Sequence, residues 1–339
     1  MNKQEVMNLN NIQWQAVEEA VNHMGEAFNV LGELLNQKVA LLYANKSVED
    51  TEDFEQLYLN LTQQELATYR NSITKILKDI PPDSPYLFNQ AKLINQTSLT
   101  YINELLNTTE AYLASMYYNL DKDLEELLTE DYSYAYMASI YLMQKELGQF
   151  EPVQRLSNET LQVKVNQADS GVPYKDTLFK NFQQSIVDMK RAITQGIQAQ
   201  KPYKGLAKDI QARANTMASQ SRNVYRVESA YKMARASIDS YKDTNVTQYQ
   251  IVGTLDSRTT DTCQMADGEV HNIEEAVLGV NFPPLIHYHG NNTFHQCRST
   301  TIPLVDTAGS RRARNPYTNQ NYLVDSNITF QEWEFRYYS

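Results

Sequence analysis

The residues best able to do chemistry lie between Thr254 and Ser299. Both cysteines of the chain, Cys263 and Cys297, are here, with four of its five histidines: His271, His287, His289 and His295. Thiolate and neutral imidazole are common zinc ligands, and Cys263, Cys297 and two of His287, His289 and His295 would fill a tetrahedral site. His289 and His295 make a His-x5-His pair, but no Cys-x-x-Cys accompanies it. The same cysteines could instead close a disulfide loop contributing about 3–4 kcal/mol. They could also supply a nucleophile beside a histidine base, or pack as two small buried thiols. Residue type and spacing leave these alternatives open.

The charged residues have a firmer logic. Asp256, Arg258 and Asp261 follow a strand-like run, Tyr249–Leu255. A guanidinium between two carboxylates favours bidentate, charge-assisted bonds. Arg298, next to Cys297, is a second guanidinium that could close on Asp256 or Asp261. Asp267-Gly268 reads as a turn, after which Val270 resumes the extended pattern. Charges packed this closely in a loop usually fix its geometry, so bracing is expected here rather than turnover. No nucleophile elbow, phosphate-binding glycine loop or zinc-protease helix is present, and no enzyme is expected.

These motifs occur in order: Leu255-Asp-Ser-Arg-Thr-x-Asp-x-Cys263, then Asp267-Gly268, then Pro283-Pro284, then Cys297-Arg298-Ser299. Together they resemble the C-terminal domain of phage minor head proteins, the Mu-F-like head-morphogenesis group of tailed bacteriophages. That family usually closes as Pro-Pro-x-His-x-x-Cys-Arg; here Phe294 stands at the histidine position and His295 is its nearest stand-in. The helix before the motif carries Arg226-Val227-Glu228, where the family usually has threonine in the middle. The resemblance spans about 175–305. It implies a minor head protein that joins portal and capsid or scaffold proteins during assembly. It further implies a low-copy place inside the head, host cytoplasm as the site of assembly, and departure with the DNA at ejection.

The elements that must position the motif are mainly helical. Trp14, Val17, Val21, Met24, Phe28, Leu31, Leu35, Val39 and Leu42 recur by threes and fours and lay one apolar stripe along a long helix, capped near Asn10 or Asn11. Its narrow seam suits a helix of this chain, or of a second copy in a low-order homo-oligomer. Further helices are expected over about 55–78, 86–120 and from 121 onward, with Leu161–Val165 as a short strand. More helices follow over about 179–197, 203–210 and 216–243. The expected organisation is a helical region at 1–150, a helical connector at 151–243, a small α+β domain at 244–310 and a tail at 311–339. In that tail Arg311-Arg312-Ala-Arg314 reads as an exposed loop, and the aromatic alternation near the end as a strand or docking arm. The fold class is therefore mainly α: long amphipathic helices followed by a small α+β domain.

Composition narrows the partners. Eleven glycines and ten prolines in 339 residues favour helices over turn-rich sheets. Two cysteines do not make a disulfide scaffold, so a reducing compartment is the default. No apolar run is long enough for a membrane span. Net charge is −14 over residues 1–154, +8 over 155–242 and −5 over 243–339. The basic middle allows weak DNA contact, but the acidic front opposes a general DNA-binding role.

Overall fold

The computed structural model describes residues 3–45, 51–148, 150, 152–153, 155–254, 259–286, 297–304, 311–314 and 321–324. Among them the helices are α1 (Lys3–Asn45), α2 (Gln63–Leu77), α3 (Gln90–Ile94), α4 (Tyr101–Leu147), α5 (Asn158–Val165), α6 (Tyr174–Gln198), α7 (Tyr203–Asp243) and α8 (Asp261–Ala266). The strands are β1 (Gln248–Val252), β2 (Val270–Asn272), β3 (Thr300–Leu304), β4 (Arg311–Arg314) and β5 (Asn321–Val324). The chain is mainly α, with a small three-stranded sheet near its C-terminal end.

Two compact units divide it: Trp14–Glu130 with Gln162–Ser229, and Met1–Gln13 with Asp131–Leu161 and Ala230–Ser339. The first is helical. Every member of the nine-residue α1 stripe is buried within this single chain, so its own helices cover the seam. Phe28 meets Tyr117 of α4 edge-on at 6.1 Å. The Tyr117 hydroxyl pairs with Ser185 Oγ of α6 at 2.7 Å. From α7, Arg222 Nε donates to the Val21 carbonyl at 3.0 Å, and Arg226 Nε donates to Glu18 Oε1 at 2.9 Å. The guanidinium of Arg222 lies where a side chain at Gly25 would start, with Nη2 only 1.5 Å from an ideal Cβ there. Gly25 thus admits the arginine against the α1 backbone. Each fully buried stripe residue contributes roughly 1.5–3 kcal/mol.

The second unit contains the sheet, in the order β2-β1-β3 with both pairings antiparallel. Tyr249 opposes His271 on one side and Pro303 on the other. Val6, Leu142, Val252 and Ile302 form a small core, with Met7 and Leu9 packed against it. Two rungs join α4 to α7: Tyr132 donates to Asp239 Oδ2 at 2.6 Å, and Tyr136 to Asp243 Oδ2 at 2.7 Å. The rings of Tyr132 and Tyr136 stack one turn apart. This pair is packing with a polar edge, as tyrosine favours. β4 and β5 pair as a separate antiparallel ribbon.

Several boundaries differ from the sequence expectations. α1 starts at Lys3, ahead of the expected cap, and Asn10 instead donates through Nδ2 to the Arg298 carbonyl at 3.2 Å. The expected helix over 55–78 is a 3-10 stretch, Thr51–Tyr58, followed by α2. Thr62 and Glu65 form a reciprocal capping box that restarts the helix. The expected helix at 86–120 is broken into a 3-10 turn, α3 and the first part of α4. α4 then runs unbroken through the acidic stretch at Asp121, because good helix formers surround those carboxylates. α7 likewise absorbs the expected gap between 210 and 216. Leu161–Val165 is helical within α5, with Leu161 and Val165 buried four residues apart. Arg311–Arg314 is a strand, not a loop. The expected terminal arm beyond Val324 lies outside the described residues.

Candidate functional site

The site is a module on the central strand β1. β1 ends at Val252, and Gly253 and Thr254 follow it. The Gly253 N–H donates to Asp267 Oδ1 at 2.8 Å, and Thr254 Oγ1 donates to the Arg298 carbonyl at 3.0 Å. Thr259 Oγ1 reaches back to the Thr254 carbonyl, and Gln264 Nε2 donates to the Thr259 carbonyl at 2.8 Å. α8 then begins at Asp261, a carboxylate placed in the first turn where the helix dipole favours it.

Asp267 and Gly268 return the chain to the sheet. Gly268 has φ +90, a conformation open mainly to glycine, and its N–H donates to the Ile251 carbonyl at 2.9 Å. Ile251 N–H donates in turn to the Glu269 carbonyl at 2.9 Å. Gln250 Nε2 adds a bond to the Gly268 carbonyl at 2.9 Å. The Asp-Gly pair therefore closes the β1–β2 ladder, as its turn chemistry predicts.

The other wall is aromatic. Phe282 is 1% exposed and packs on Tyr249 with centroids 4.7 Å apart. The Tyr249 hydroxyl donates to the Asn281 carbonyl at 2.9 Å. Tyr241, at the end of α7, donates to the Thr301 carbonyl at 3.2 Å. Burial raises the pKa of both tyrosines above the ordinary phenol value, so they act here as neutral donors. Pro283 and Pro284 follow Phe282, both buried, with a cis bond between them.

Cys263 in α8 and Cys297 before β3 are both buried, with sulfurs 3.6 Å apart and no bond between them. The adjacent Cys263 thiol, then burial, push the Cys297 thiol well above its ordinary pKa. Among the described residues no group of three or more His, Cys, Asp or Glu side chains is set to hold a metal ion. His271 lies on β2 beside Glu269, 3.2 Å from its carboxylate.

Of the residues singled out from sequence, the module brings together Asp261, Cys263, Asp267, Gly268, Pro283, Pro284, Cys297 and Arg298. Asp256 and Arg258, with the expected guanidinium bracket, lie outside the described residues, as do His287, His289 and His295. Sequence reading missed Tyr241 and Asn281, and gave Asn10 only as a helix cap. Nothing in the local pattern of Asn10 marks it, because its acceptor is 288 residues away.

Residues 187–302 match the family model described as Phage Mu protein F like protein. This segment, about a third of the chain, is similar to that family. The match begins inside α6 and ends in β3, so it takes in α7, β1, α8 and β2. No curated protein and no solved structure gives a match. That similarity suggests a phage head-morphogenesis protein of the virion that works with other phage head proteins. Among the described residues, no helix is long and apolar enough to cross a membrane.

Proposed function

We propose that this chain is a minor head protein that acts at the portal during head assembly, is packaged in low copy inside the head and leaves with the DNA. The observation that carries this reading is the family match ending within the braced module. The surface of the module supports it. Met265, Val270, Val277 and Val280 are all exposed, at 56%, 47%, 53% and 42%. Apolar groups exposed on one small module would suit a protein partner if they form a single patch. The mechanism is binding without a cofactor.

A Cys/His-dependent hydrolase is the weaker reading. Both thiols are buried, and Cys297 is held neutral, whereas a nucleophile needs an exposed thiolate. The basic middle of the chain offers a subsidiary contact to DNA, which would weaken steeply with salt.

Co-expression with the portal protein of the same phage tests the reading. A portal ring that retains the full-length chain through purification supports it. A ring that emerges without the chain, while the chain stays folded and unbound, overturns the portal assignment.

A further inference from the structure

We propose that Cys263 and Cys297 are a latent covalent brace: two thiols in a reducing compartment, and a disulfide between α8 and the lead-in to β3 once the protein meets an oxidising one. The inference is independent of the portal reading, because it concerns the chemistry of the domain itself.

The geometry is the first support. The sulfurs are 3.6 Å apart, against about 2.05 Å in a disulfide, so small side-chain rotations bring them into bonding range. The pair is intramolecular and buried, which disfavours links between copies of the chain. The second support is topological. The residues are 34 positions apart, and the loop they would close contains the end of α8, the Asp-Gly turn, β2 and the proline pair. Closing a loop of that length removes considerable freedom from the unfolded chain. The frame around the sulfurs is already tied on both sides. Gly253 N–H bonds Asp267 Oδ1 just after α8, and the Arg298 carbonyl, next to Cys297, accepts from Thr254. The brace would therefore lock an arrangement already in place.

The chemistry balances with a small-molecule disulfide of the glutathione class as oxidant. One cysteine, as its thiolate, attacks the oxidant's disulfide and releases one small thiol. The second cysteine then attacks the mixed disulfide and releases the other. The protein loses two protons and two electrons, and the oxidant's disulfide becomes two thiols. Burial makes the first attack slow, so its rate should follow local opening of the module.

The test uses the full-length chain purified with reductant. It is then exposed to oxidised glutathione and digested in denaturant at Glu269, Glu274 and Glu275, which lie between the cysteines. The expected result is one linked species joining the Cys263 and Cys297 peptides, lighter by two hydrogens and separated by reductant. Free thiols should fall to none with no covalent dimer, and the unfolding midpoint of the domain should rise on the order of ten degrees. Cys263→Ser should leave one titratable thiol and abolish the shift. The proposal is overturned if both thiols stay titratable after exposure in mild denaturant, or if the links form between chains. It is also overturned if the purified protein carries stoichiometric zinc that shields both thiols until a chelator is added. The thiol count on the wild-type chain stands even if the serine variant does not fold.

Discussion

The backbone N–H of Gly253 donates to Asp267 Oδ1 at 2.8 Å, so one carboxylate joins the exit of β1 to the turn that enters β2. Asp267 is otherwise exposed, which limits the strength of the bond. Asp267→Ala should destabilise the module by about 1 kcal/mol, and Asp267→Asn by less, because the amide oxygen can still accept. Amide exchange in β1 under native conditions reads this locally. Gly253→Ala tests the other partner: its new Cβ would lie 3.2 Å from the Cys263 carbonyl, a backbone atom with little room to give. Protection of β1 should fall in this variant too, and unchanged exchange in both would show that the bond is not structural.

Phe282 supports Tyr249 of the same strand. Its ring is almost fully buried against Tyr249 and lies 6.4 Å from Tyr241. Phe282→Ala should cost about 3–5 kcal/mol, the usual range for emptying a buried aromatic site. Phe282→Leu should recover a good part of it. Urea denaturation of the two variants checks the order.

The two tyrosine–aspartate rungs should behave as a coupled pair. Tyr132→Phe removes the bond to Asp239, and Tyr136→Phe the bond to Asp243. Each should cost about 0.5–1.5 kcal/mol, the usual net worth of an intramolecular hydrogen bond. The rings stack directly, so the double variant should depart from additivity, measurable by a double-mutant cycle.

Asp121 in the helical unit carries a pH signature. Burial raises its carboxyl pKa above the ordinary aspartate value, partly offset by Lys175, with Glu125 adding to the rise. The folded state then holds the proton more tightly than the unfolded state. Stability from this group is greatest below about pH 4 and falls as pH climbs through the raised value. Asp121→Asn should therefore stabilise the unit at neutral pH and flatten its pH dependence. Thermal unfolding of wild type and variant from acid to neutral pH measures the difference. Parallel curves would show that Asp121 does not titrate as described.

Much of the fold was legible along the chain because it repeats locally. The α1 stripe from Trp14 to Leu42 predicted its own burial, since 3.6-residue periodicity fixes which side chains share a face. The Asp267-Gly268 turn, the strand at Tyr249 and the family resemblance around Cys263 and Cys297 were legible for the same reason: each is written in neighbouring residues. Element boundaries were less so. The acidic run at Asp121 resembled a helix end and was helix interior, and Leu161–Val165 matched strand alternation but buries only Leu161 and Val165, one helical turn apart.

The meeting of distant residues was decided only in three dimensions. The sequence shows two cysteines, and the fold brings them to 3.6 Å. It shows Arg298 as a guanidinium, and the fold adds a use for its carbonyl, bonded by Thr254 and by Asn10. Side-chain periodicity reports which face of an element is apolar, but not which other element will cover it. Packing makes that choice, because a helix or strand can bury its apolar face against any complementary surface the chain delivers.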